Sequence, residues 1–115
     1  MRKAFAVVLL LASEGVASKS EADYQQEWCK GETEVVMPDR SRADCVTDRY
    51  AIEVEFANKW KDGIGQALNY AFQTNKKAGI ALILRDKGDY RYWIQLNSVI
   101  DYYDLPITPW KIEGY

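Results

Sequence analysis

The chain has 115 residues, 48% hydrophobic and 13% aromatic, enough apolar content for one packed domain and too much for a disordered chain. A formal charge of −2 gives no general attraction to nucleic-acid phosphates, so any polyanion would have to be met by a metal or a local basic patch. Histidine is absent, which excludes Ser-His-Asp and Cys-His machinery, imidazole-ligated zinc and the usual neutral-pH proton shuttle.

From the start, Met1-Arg2-Lys3 is a basic n-region, Ala4 to Ala12 an uninterrupted apolar run, and Ser13 to Ser18 a stretch with small residues where a signal peptidase reads. Nine apolar residues are too few to span a bilayer. Residues 1–18 therefore read as a signal peptide, and residues 19–115 as a single exported domain, periplasmic or secreted, with no membrane segment in the mature form. Removing Arg2, Lys3 and Glu14 makes the remainder one unit more acidic than the whole chain.

Ser20 to Cys29 reads as a first helix, with Ser20 as N-cap, Asp23 in the capping-box position and Gly31 as the stop. Glu32 to Met37 is a strand ending at Pro38. Arg42 to Thr47 and Tyr50 to Phe56 are two more, joined at Asp48-Arg49. A second helix runs from about Asn58 or Asp62 to Asn75, with Ile64, Ala67, Leu68, Ala71 and Phe72 as its apolar stripe. Gly79 to Leu84 (GIALIL) is a continuous apolar strand, the pattern of a parallel strand buried on both faces. Asp89 is placed to cap a third helix carrying Tyr92, Trp93, Leu96, Val99, Ile100 and Tyr103, although residues 90–95 also fit a strand. Ile107 to Ile112 is the last strand. The order α-β-β-β-α-β-α-β implies an α/β mixed sheet flanked by helices.

Two cysteines, Cys29 and Cys45, are compatible with one disulfide in an oxidising compartment and equally with two small buried hydrophobes. The aromatic surplus at Tyr90, Tyr92, Trp93, Tyr102, Tyr103 and Trp110 reads mainly as core packing.

The turn at Asp48-Arg49 sets the antiparallel register, pairing Val46 with Ala51, Cys45 with Ile52 and Asp44 with Glu53. Asp44 and Glu53 then face one another, and Glu55 follows on the same face. Like charges opposed in a hairpin destabilise it unless a cation or shared proton intervenes. A hard divalent cation suits such an oxygen-only pair. Arg42, Arg49 or Lys59 folded over a solvated face would answer the same need.

Asp44, then Glu53-Val54-Glu55, then Gln66-Ala-Leu-Asn-Tyr70 on the following helix together resemble the PD-(D/E)XK nuclease superfamily, in its RecB-like branch with a Gln-x-x-x-Tyr motif. The resemblance spans roughly residues 20 to 85 and implies a restriction-endonuclease-like fold. It implies Mg²⁺ or Mn²⁺ held by Asp44, Glu53, the Val54 carbonyl and Glu27, with Gln66 and Tyr70 orienting water or substrate and DNA or RNA cleaved outside the cytoplasm. Arg40, Arg42, Arg49, Lys59, Lys61, Lys76 and Lys77 would then supply phosphate contacts. One position departs from the family: Glu55 stands where its lysine belongs. Lys59 or Lys61 at the next helix start would replace it, with Lys59 preferred; otherwise Glu55 is a third ligand, or the chain is a nuclease-fold binding module without activity. A metal-stabilised structural domain with no nucleic-acid partner is the third reading.

Overall fold

A computed structural model describes residues 18–115; the expected leader lies outside the described residues except for Ser18. Helix α1 (Glu21–Trp28) begins as its sequence dictates: the Asp23 N–H donates to Ser20 Oγ at 3.1 Å while Asp23 Oδ2 accepts the Ser20 N–H at 2.9 Å. Strands β1 (Glu32–Val36), β2 (Arg42–Val46) and β3 (Tyr50–Phe56) follow. After a short 3-10 turn comes α2 (Trp60–Thr74), then β4 (Lys77–Leu84), α3 (Tyr90–Tyr103) and β5 (Ile107–Glu113). The five strands lie in sequence order in one open sheet, antiparallel from β1 to β3 and parallel from β3 to β5. The architecture is thus α/β with a mixed sheet and three helices. No described helix is long and apolar enough to cross a membrane.

Strand β4 is buried from Ala78 onward and pairs in parallel with both neighbours, as its unbroken apolar run requires. Alternation sorts its side chains. Ile80, Leu82 and Leu84 pack under α2 and α3 with Trp60, Ala67, Leu96 and Ile100, whereas Ala81 and Ile83 join Tyr24, Ile52 and Val54 beneath α1. Ile80, Leu82, Ile83 and Leu84 have no exposed surface, and each such burial contributes about 1.5–3 kcal/mol.

Cys29 and Cys45 form a disulfide tying the end of α1 to β2. Gly31, expected as a helix stop, serves another purpose. The helix is already closed at Cys29, whose N–H reaches the Gln25 carbonyl at 2.9 Å, and the chain then runs so close to β2 that a Cβ on residue 31 would lie 2.1 Å from the Val46 carbonyl oxygen. Both groups are backbone, so relief requires moving a strand. Gly31→Ala is expected to cost about 1–3 kcal/mol, read as a lower midpoint in urea denaturation at unchanged slope.

Three expectations fail on packing. Phe72, assigned to the apolar stripe of α2, is 84% exposed, at the edge of a stripe whose Ile64, Ala67, Leu68 and Ala71 do pack on the core. Tyr90, Tyr102 and Tyr103 are exposed, while Tyr92, Trp93 and Trp110 do pack on the core. Residues 90–95 are helical, but Asp89 caps no helical N–H. Its Oδ2 accepts the Arg85 backbone N–H at 2.9 Å instead.

Candidate acidic site at the fork between two strands

The Thr47 hydroxyl oxygen accepts the N–H groups of Arg49 at 3.3 Å and Tyr50 at 3.0 Å, and the Thr47 N–H reaches the Tyr50 carbonyl at 2.9 Å. Lys76 closes the turn from outside by donating to the Thr47 and Asp48 carbonyls at 2.7 and 2.9 Å. This turn produces the expected register, Val46 opposite Ala51 and Cys45 opposite Ile52. Then the backbone ladder stops. One step further along, where Asp44 and Glu53 stand, β2 diverges from β3.

The fork leaves backbone donors of β3 without a partner strand, and carboxylates take its place. Asp44 Oδ2 accepts the Val54 N–H at 2.8 Å, and Glu21 Oε2, arriving from the first turn of α1, accepts the Phe56 N–H at 3.1 Å. A strand residue directs its N–H and C=O to the same edge, so the Val54 carbonyl faces this fork as well.

Glu53 and Glu55 project to the α2 side and are nearly inaccessible, 3% and 6% exposed. Gly63 in the first turn of α2 lies directly over them: a Cβ there would sit 3.7 Å from Glu53 Cγ and 3.8 Å from Glu55 Cβ. The carboxyls form a row. Glu53 hydrogen-bonds both Asp44 and Glu55, and Glu55 hydrogen-bonds Glu21. Without a cation, such a row exists by sharing protons. Burial, then the adjacent Asp44 charge, pushes Glu53 far above the carboxylate range. Burial also raises Asp44, opposed by its hydrogen bonds from Glu53 and the Val54 N–H. Glu55 is pushed up to about 7, again first by burial, with Lys59 pulling the other way.

These shifts have a direct consequence for stability. Glu55 binds its proton more tightly folded than unfolded, so its contribution is complete below its ordinary value of 4.5 and is lost as pH rises through about 7. Without divalent cations, the melting temperature is expected to fall by several degrees between pH 5 and pH 7.5, more steeply than that of Glu55→Gln.

Gln66 and Tyr70 complete the arrangement. The Gln66 amide, oriented to satisfy both its oxygen and its nitrogen, donates to Glu53 Oε2 at 2.8 Å and to the Tyr70 hydroxyl at 3.2 Å. The Tyr70 ring packs with Met37, Ala43 and Ala51, and burial raises its phenol, which stays neutral. Tyr70 thus packs with its ring and meets Gln66 with its hydroxyl.

Asp44, Glu53, Glu55, Gln66 and Tyr70 therefore come together. Lys59 is exposed at the start of α2, close enough for its charge to act on Glu55. Lys61 turns away, over the Trp60 ring at 5.8 Å. Glu27 does not reach the row; it is exposed and paired with Lys19 at 2.6 Å. Glu21 takes that place, six residues earlier and on a different face of α1. Its position in the first helical turn favours an acid for reasons of the helix dipole alone, which hides its role in the sequence.

Sequence reading also misses Glu34. In the β1–β2 register it falls opposite Asp44, and its φ of 54° is a left-handed conformation that costs a non-glycine residue about 1–3 kcal/mol. Gln25, buried on α1, holds it there by donating to Glu34 Oε2 at 2.8 Å, and Arg42 approaches Oε1 at 3.6 Å. Of the other expected phosphate contacts, Arg49 leans over the Tyr50 ring at 6.0 Å, Lys76 is committed to the turn carbonyls, and Arg40 and Lys77 are exposed.

Among the described residues, no three His, Cys, Asp or Glu side chains are gathered into a ready-made metal cage. The donor chemistry nonetheless fits a hard cation of low protein denticity: Asp44 and Glu53 as carboxylates and a backbone carbonyl at the same edge. No protein family, curated protein or solved structure matches this chain.

Proposed function

We propose that the chain is a metal-dependent phosphodiester hydrolase of restriction-endonuclease-like fold, acting on DNA or RNA outside the cytoplasm. The observation that carries this reading is the convergence of Asp44, Glu53, Gln66 and Tyr70 on one strand fork, from three elements. Asp44, Glu53 and the Val54 carbonyl would hold Mg²⁺ or Mn²⁺. When bound, the metal supplies a water of lowered pKa and positive charge for the phosphate oxygens.

The chain's own groups do the rest. Gln66 fixes the Glu53 carboxyl by donating to both of its oxygens, at 2.8 and 3.3 Å. Tyr70, neutral and hydrogen-bonded, fixes Gln66. Glu55, beside Glu53 in the row, would accept a proton from the attacking water, and Lys59 offers the positive charge that the residue two places after Glu53 cannot.

A second reading, a nuclease-fold binding module without catalysis, is favoured by Glu55 alone. Supercoiled plasmid and single-stranded RNA incubated with the protein in Mg²⁺, Mn²⁺ or EDTA distinguish the two. Cleavage that needs metal and disappears in Asp44→Ala is the result expected. Binding without cleavage under all these conditions would favour the module.

A further inference from the structure

Beyond the acid row, at the carboxyl ends of β3 and β4, lies a cation that none of these roles uses. The Arg85 guanidinium carbon sits 4.0 Å from the centroid of the Phe56 ring, and its Nη2 donates to Asn58 Oδ1 at 3.3 Å. Two acids are near in sequence, yet neither neutralises it: Asp89 spends Oδ2 on the Arg85 backbone N–H, and Arg85 takes part in neither ion pair found among the described residues. Stacking and one hydrogen bond hold the fork of an arginine that keeps four of its five N–H donors for something else.

The position gives that something its character. Phe56, the platform for the stack, is the residue whose N–H is held by Glu21, the end of the acid row. Asn58 and exposed Lys59 come from the turn that follows directly. Arg85 directly follows the last residue of β4, which pairs in parallel with β3, so its side chain and Phe56 share the carboxyl ends of these two strands. A planar, pre-oriented, unpaired guanidinium is the donor geometry that recognises phosphate oxygens in bidentate fashion.

We propose that Arg85, braced by Phe56 and Asn58, forms a phosphate subsite that holds a phosphodiester group of the substrate strand next to the one hydrolysed at the acid row. This rests on the nuclease reading for its substrate, while its own observations are independent of the acids. Arg85 is exposed, so its replacement leaves the core intact.

The test is steady-state cleavage of a labelled oligonucleotide by the protein and its Arg85→Gln and Arg85→Lys variants. Arg85→Gln is expected to raise KM about tenfold with kcat within about twofold, and Arg85→Lys, which keeps charge but loses the fork, to fall between. An unchanged KM in Arg85→Gln while the parent cleaves would overturn the subsite. Inorganic phosphate supplies a second arm: Arg85-dependent phosphate binding without any change in oligonucleotide KM would assign the site to free phosphate and overturn the strand contact.

If the parent cleaves nothing, the nuclease reading falls, and the subsite is judged by oligonucleotide binding in EDTA. A log–log salt slope reduced by about 1 in Arg85→Gln then supports it, and an unchanged slope overturns it.

Discussion

Glu53→Gln is expected to abolish metal-dependent cleavage while making the metal-free protein more stable. The loss should be at least about a hundredfold in kcat/KM, because the change removes one of the two carboxylates proposed to hold the cation and leaves the geometry intact. The gain follows from hydrogen-bond chemistry. Glu53 faces two acceptors, Asp44 and Glu55, with a single proton, while Gln66 donates to its Oε2. A glutamine presents two N–H donors to the acids and an oxygen to Gln66, and it has no charge to suppress. In EDTA at pH 7.5 its melting temperature should exceed the parent's by about 4 °C or more, corresponding to 1 kcal/mol or more in a domain of this size. Equal activity would remove Glu53 from the site. A lower metal-free melting temperature with intact fold would mean that the row of carboxyls stabilises the domain on its own account.

The second large effect concerns the disulfide. Cys29 and Cys45 are 16 residues apart and join the end of α1 to the strand that carries Asp44. Closing a loop of about 15 residues restricts the unfolded chain by about 3 kcal/mol. The bond also anchors the helix that brings Glu21 to the fork and Gln25 to Glu34. Cys29→Ala with Cys45→Ala should therefore lower stability by about 3 kcal/mol in denaturant, and the parent in reducing buffer should behave like the double variant. Cleavage below the melting transition should fall as well, since α1 positions two carboxylates. A stability loss with unchanged activity would confine α1 to a structural part.

The strands and their register were legible because local chemistry determines them. Thr47 and the residues after it make a turn whose centre sets the Val46–Ala51 and Cys45–Ile52 pairs, and GIALIL admits no amphipathic alternative. That Asp44 and Glu53 come side by side follows from counting, although the ladder itself ends one step before them, and the Gln66–Tyr70 pair follows from helical spacing. The fork was not legible. Where β2 leaves β3 depends on α1 and β1 packing from outside, through Gln25, Glu34 and the disulfide, and no short-range signal records it. Glu21 was overlooked for the same reason: its partner, the Phe56 N–H, is free only once the ladder has opened. Glu27 is implied by the family resemblance alone, but that face of α1 meets solvent and Lys19. Phe72 is exposed at the margin of its apolar stripe, and the spacing of apolar residues does not reveal where the covering neighbours end.

The central claim is that the row at the strand fork is a divalent-cation site built on Asp44 and Glu53. The most direct measurement is thermal melting at pH 7.5 with increasing Mn²⁺ or Mg²⁺, for the parent and for the double variant Asp44→Asn with Glu53→Gln. A ligand that binds only the folded state at 100 times its dissociation constant adds about 2.7 kcal/mol, so the parent's melting temperature should climb by about 10 °C or more as the site saturates, while the double variant stays flat. A parent that does not respond, or a double variant that responds equally, would contradict the account.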